Sequence, residues 1–279
     1  MRCRTLLPGL LLISLVLAPA GRGASQPSID IVSDGQTVVL SHTALLQRRD
    51  LREIRIPHDP IYKRPMSYRA LPLASLLAGL ALKAGEVIEV VASDGFVSVL
   101  PPELILGIND TGSVAYLAVE PVDEAWPNIP GKTVSAGPFS VVWLKPEAAG
   151  VHSEQWPYAV VSIRTAASPT QRWPALSVDP ALAAGAPIRA GQTLFITRCM
   201  PCHTLNGAGN AHVGPDLNLP QNPTEYLTPQ ALHQLIRNPA SVRHWPDMKM
   251  QGFDKDALSD HDIEQIIHYL LHMAARKKT

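Results

Sequence analysis

Five consecutive residues, Cys199, Met200, Pro201, Cys202 and His203, bring two thiols and an imidazole into one short segment. Their order is C-x-x-C-H, the attachment sequence of a c-type haem. The spacing has a chemical reason. Two thiols three positions apart reach the two vinyl-derived carbons on one side of a porphyrin, and the adjacent His swings beneath the ring to ligate iron. With 3 Cys and 10 His in 279 residues, the pattern arises by chance roughly once in a thousand. A thioredoxin-like redox pair would need a βαβ setting, and a zinc site would need more thiols than remain. Met200 reads as a spacer inside the attachment loop.

The elements that must position these residues read as all-α. One helix leads from Gly191 into Cys199. A second covers 259–271, with Ser259 as its cap, Asp262 three residues on as in a capping box, and Ile263, Ile266, Ile267, Leu270 and Leu271 along one face. A short helix is expected at 229–237, within an otherwise irregular, Pro-rich stretch.

Residues from about 188 to 272 resemble class I c-type cytochromes. Gly191 and Phe195 fit the G-x-x-x-F of that family's first helix, Tyr269 fits the aromatic on its last helix, and Gly214-Pro215-Asp216-Leu217 fits its G-P-x-L. The resemblance implies one covalently bound haem c on Cys199 and Cys202, with His203 on the iron and the Pro215 carbonyl accepting the His203 Nδ1 proton. It also implies Met250 as the second axial ligand, in Met250-Gln251-Gly252-Phe253 ahead of the last helix. Met248 is a direct rival, and His212, His233, His244, His261, His268 and His272 keep bis-His ligation open. His261 and His268 fall off the apolar stripe of their helix. The implied activity is single-electron transfer between redox proteins, from a dehydrogenase donor to a cytochrome or oxidase acceptor, with no bond-making catalytic residue.

The remainder of the chain reads differently. Residues 29–32 and 37–40 flank Ser33-Asp34-Gly35-Gln36, a hairpin signature. A similar arrangement recurs around Asp94-Gly95, between 87–92 and 96–100. Further strands are expected at 113–119, 139–144 and 158–164, and a helix at 73–82, where Leu73, Leu76, Leu77 and Leu80 recur at helical spacing. The reading is a β-rich α+β domain over 25–165, a Pro/Ala-rich, semi-rigid linker over 166–187, and an all-α domain over 188–279.

Tyr68-Arg69-Ala70-Leu71-Pro72-Leu73, Val90 through Phe96 and Gly137 through Val142 resemble the molybdopterin-binding domain of sulfite-oxidase-like oxidoreductases. That resemblance implies a fold rather than an activity. Enzymes of that family hold molybdenum through a protein cysteine, and this domain has none, so no molybdopterin is expected and the domain reads as a docking module. The alternatives are a haem-containing subunit of such a molybdenum oxidoreductase and a haem-based sensor in which a small gas displaces Met250. His42, His58 and His152 read as ordinary surface or capping residues, and the basic cluster from Arg48 to Arg69 as a solvated face. Eight acidic residues and no Lys or Arg fall between 84 and 131.

Arg2 and Arg4 precede a short apolar run ending in Ala18-Pro19-Ala20, which reads as a signal peptide over 1–20 and an exported, periplasmic protein without a membrane span. Cleavage there removes Cys3. The whole chain balances 24 Lys and Arg against 24 Asp and Glu, which excludes a strongly basic nucleic-acid binder. With 17% charged residues and 26 Pro, a long coiled coil is excluded as well.

Overall fold

The computed structural model describes residues 26–107, 112–211, 213–246 and 248–277. The segment read as a signal peptide, and His212, lie outside the described residues.

The N-terminal region opens with β1 (Ser28–Ser33), β2 (Gln36–Ser41), helix α1 (His42–Leu46), β3 (Arg52–Ile56) and β4 (Met66–Pro72). It continues with α2 (Leu73–Leu76), β5 (Glu86–Ala92), β6 (Val97–Leu100), α3 (Pro102–Ile105), β7 (Val114–Val119), β8 (Phe139–Leu144) and β9 (Val160–Ala167). The strands form two sheets, ordered β2-β1-β9-β5-β6 and β3-β4-β7-β8. Among the described residues, only the β1–β9 pair is parallel. The turn between β1 and β2 holds Asp34 at φ +49° and Gly35 at φ +75°, the left-handed pair that a two-residue hairpin turn requires. The two sheets share one core, in which Trp143, Tyr68, Phe139, Leu71 and Ile88 are fully buried. Each such side chain contributes about 1.5–3 kcal/mol through burial.

Two strands depart from the sequence reading. β3 and β4 were hidden by their charges, although their alternation is regular: Ile54, Ile56, Tyr68 and Ala70 are buried while Arg55, Ser67 and Arg69 face outward. The basic cluster is accordingly divided: Arg52, Arg55 and Arg69 are exposed on these strands, and Arg49, Lys63 and Arg64 are exposed in the loops that flank them. The helix expected over 73–82 ends after one turn at Leu76. Leu73 and Leu77 reach the core, but the chain leaves the helix through a turn at 77–79 before Leu80. β9 also begins two residues later than expected and runs on to Ala167.

The segment 166–187, expected to behave as a semi-rigid linker, packs against the second core and is hydrogen-bonded to the sheet region. It contains α4 (Pro169–Arg172) and a 3-10 turn, Pro174–Leu176. Leu176 and Val178 are buried in the second hydrophobic core, and the Ser168 amide donates to the Gly85 carbonyl. Prolines fix the path of this segment, and its apolar residues anchor it.

The helical region follows with α5 (Pro187–Leu194), α6 (Pro229–Arg237), α7 (Pro239–Val242) and α8 (Asp260–Ala274). α6 has the bounds expected for it. The Ser259–Asp262 capping box opens α8 with both reciprocal hydrogen bonds present. Leu271, expected on the apolar face of α8, is exposed instead; Tyr269 and Met273 are buried on that helix.

Candidate functional site

α5 passes into a π-helical turn, Phe195–Cys199, closed by Met200 N–H donating to the Phe195 carbonyl at 2.9 Å. The attachment sequence then coils into one further turn, in which Cys202 and His203 N–H both donate to the Cys199 carbonyl, at 3.0 and 2.8 Å. This turn brings Cys199, Cys202 and His203 together. Met200 does more than space the two thiols, because it is 4% exposed and belongs to the second core.

α5 and α8 cross at Gly191. A Cβ there would collide with the Gln265 carbonyl oxygen and lie 2.9 Å from Tyr269 Cβ. One turn further on, Phe195 meets Tyr269 with ring centroids 5.4 Å apart. The Tyr269 hydroxyl donates to the Leu176 carbonyl at 2.6 Å, which ties the helix crossing to the packed segment.

His203 is held from two sides. Its Nδ1 lies 2.8 Å from the Pro215 carbonyl oxygen, so Nδ1 carries the proton and Nε2 keeps its lone pair. Gly214 lies flat against the ring, where an added Cβ would sit 2.5 Å from His203 Cε1 and 2.7 Å from Nδ1. Burial lowers the His203 pKa below the ordinary imidazole value, against the Pro215 hydrogen bond and the Asp216 charge, which act the other way. A neutral imidazole with a free Nε2 is what iron ligation needs. Burial pushes the thiols up, Cys199 to about 12 and Cys202 to about 11, with Glu154 adding to both.

The loop between His203 and α6 has no ladder to satisfy its backbone, and side chains do that work. The Gly214 and Leu217 amides donate back to the Cys202 and Thr204 carbonyls. Asp216 accepts from the amides of Asn206, Gly207, Asn218 and Leu219. Fully buried Asn218 and Asn222 donate to the Met273 and Leu270 carbonyls, and Asn206 to those of Ala175 and Arg276. Sequence reasoning missed this amide ladder, since scattered asparagines carry no periodic signal.

Residues 188–274 match the family model for cytochrome c. The C-terminal region is a cytochrome c domain. Among curated proteins, none matches the chain. The cytochrome c family implies a covalently bound haem c, and the residues present fit that group: two adjacent thiols, a His whose Nδ1 is occupied, and a glycine that clears space beside its ring.

In the segment ahead of α8, Met248 and Met250 are both half-buried. The segment after them is fixed to α6. Gly252 packs on the Arg237 carbonyl, and Arg237 Nη1 donates to the carbonyls of Phe253 and Leu258 at 2.6 and 2.7 Å. Several of the rival histidines are engaged or turned outward. His272 Nε2 accepts from the Asp179 amide at 3.1 Å, and His233 Nε2 lies 3.3 Å from Asp260 Oδ1. His244, His261 and His268 are exposed. In the sheet region, His42 Nε2 sits 2.6 Å from the Glu120 carbonyl, His152 caps a 3-10 turn, and His58 is exposed. Among the described residues, no three His, Cys, Asp or Glu side chains cluster as a metal site requires, and no helix is long and apolar enough to cross a membrane.

Proposed function

We propose that this is an exported, periplasmic monohaem cytochrome that carries single electrons between redox proteins, from a dehydrogenase to a cytochrome or oxidase. The haem supplies the ferric–ferrous couple. Cys199 and Cys202 would hold it covalently, and His203 and Met250 would ligate its iron. The Pro215 carbonyl keeps the imidazole in one tautomer and strengthens it as a donor. Arg237 and Gly252 hold the Met-bearing loop in place.

The single observation that carries this reading is the His203–Pro215 hydrogen bond beside Gly214, directly after the paired thiols. With His203 and Met250 as its two protein donors, the haem would serve electron transfer rather than the making or breaking of a substrate bond. The sheet region serves as a docking module. Its sequence resembles sulfite-oxidase-like domains, but residues 25–187 include no cysteine to hold molybdenum, so it carries no molybdopterin.

The axial assignment is tested by two variants of the holoprotein. Met250→Ala should lose the weak red-region band of Met-ligated ferric haem and lower the potential, because a thioether favours ferrous iron. The expected shift exceeds the ~59 mV that corresponds to tenfold for one electron. Met248→Ala should change neither. The opposite pattern would assign Met248, and no change in either variant would leave a histidine as the ligand.

A further inference from the structure

The cytochrome c domain does not stand clear of the sheet region. Its attachment turn faces β6 and the 3-10 turn Ser153–Gln155. Arg198, the residue before Cys199, places Nη1 3.2 Å from Glu154 Oε2. The two side chains are only 10% and 13% exposed. Glu154 is fixed in the sheet region: Ser98 Oγ donates to its carbonyl at 2.8 Å, Ser153 Oγ to its carboxylate at 2.7 Å, and buried Trp143 Nε1 to the next carbonyl, Gln155, at 2.7 Å.

A second contact closes the same seam. Glu89, 1% exposed, binds both Arg164 and Arg172. Asn210 of the haem-site loop, its amide oxygen oriented toward the two guanidinium groups, accepts from them at 3.1 and 2.8 Å. Both charged clusters thus join the sheet region to the segment that carries the thiols and His203.

We propose that the sheet region is a fixed flank of the haem site, and that the Glu154–Arg198 pair across the seam sets the charge beside Cys199 and with it the redox potential. This rests on the haem-carrier reading above. In a nearly dry seam, charges are weakly screened, and removing one partner leaves the other uncompensated. An unpaired Arg198 beside the site favours ferrous iron and raises the potential. An unpaired Glu154 favours ferric iron and lowers it. A purely structural clasp would move both variants in one direction, through loosening alone.

The test is a potentiometric titration of the full-length holoprotein. Glu154→Gln should raise the midpoint, and Arg198→Met should lower it, each by several-fold up to about tenfold in the redox equilibrium, up to ~59 mV for one electron. The double variant should return close to wild type. Should Arg198→Met fail to mature, Glu154→Asp, which keeps the charge, should hold the wild-type midpoint while Glu154→Gln does not. Shifts of the same sign, or unsplit midpoints with haem still covalently bound, would overturn the proposal alone. A wild-type chain without covalent haem would overturn the function proposed above and this inference with it.

Discussion

In the sheet region, two buried clusters pair side chain with side chain: Glu89 sits between Arg164 and Arg172, and the Tyr68 hydroxyl donates to Asp59 at 2.7 Å, where the Ile61 and Tyr62 amides also donate. In the cytochrome c domain, Asp216, Asn206, Asn218 and Asn222 turn mainly to backbone amides and carbonyls. The contrast follows from where the backbone is already satisfied. Sheet ladders pair most of their own N–H and C=O groups, so buried side chains there meet one another or reach backbone outside the strands, as His42, Ser98 and Trp143 do. The loop after His203 has no ladder, so its shape depends on side chains that supply donors and acceptors. A covalent haem site thereby rests on a loop held by amides and one carboxylate rather than by apolar packing alone.

Three substitutions probe the contrast. The larger effect is expected at Glu89. Glu89→Ala leaves two guanidinium groups partly buried without their carboxylate and should cost about 3–5 kcal/mol, read from urea denaturation followed by far-UV circular dichroism. A midpoint unchanged from wild type would show that the sheet region does not depend on its charged cluster.

The smaller effect is at Asp216. Asp216→Ala should cost about 1.5–3 kcal/mol at neutral pH, because charge-assisted hydrogen bonds from backbone amides are lost. Burial raises the Asp216 pKa, but the amides of Gly207, Asn218 and Leu219 outweigh it, so the carboxyl is held below its ordinary 3.8. A folded value below the unfolded one gives stability that is present above the unfolded pKa and fades as pH falls through the folded one. The gap between wild type and Asp216→Ala should therefore narrow below about pH 4. The penalty of Asn218→Ala, which removes a neutral amide, should not follow that trend. A parallel pH trend for both variants would count against the division between charged and neutral supports.

Legibility in the sequence tracked how local each feature is. The attachment motif, α6 and the Ser259–Asp262 cap are set by neighbours within a few residues, whereas the Gly191–Phe195–Tyr269 crossing, between distant parts of the chain, was legible only through the family resemblance. The hairpins around Asp34-Gly35 and Asp94-Gly95 were legible because positive φ demands those residue types. The charged faces of β3 and β4 masked a regular alternation. The anchoring of Leu176 and Val178 could not be read, because their partners on α8 lie some ninety residues away. Separations of 55 and 44 residues likewise conceal the asparagine ladder and the Glu154–Arg198 seam, which carry no periodic mark at either end.

The central claim is that Cys199 and Cys202 carry one haem and that the sheet region carries no second redox centre. Elemental analysis of full-length protein, matured in a host able to make both c-type haem and molybdopterin, tests it most directly when paired with haem staining after denaturing electrophoresis. The expected result is about one iron and essentially no molybdenum per chain, with haem staining that survives denaturation in wild type and vanishes in the Cys199→Ala, Cys202→Ala double variant. Stoichiometric molybdenum, or haem that stays covalently bound in the double variant, would contradict the account.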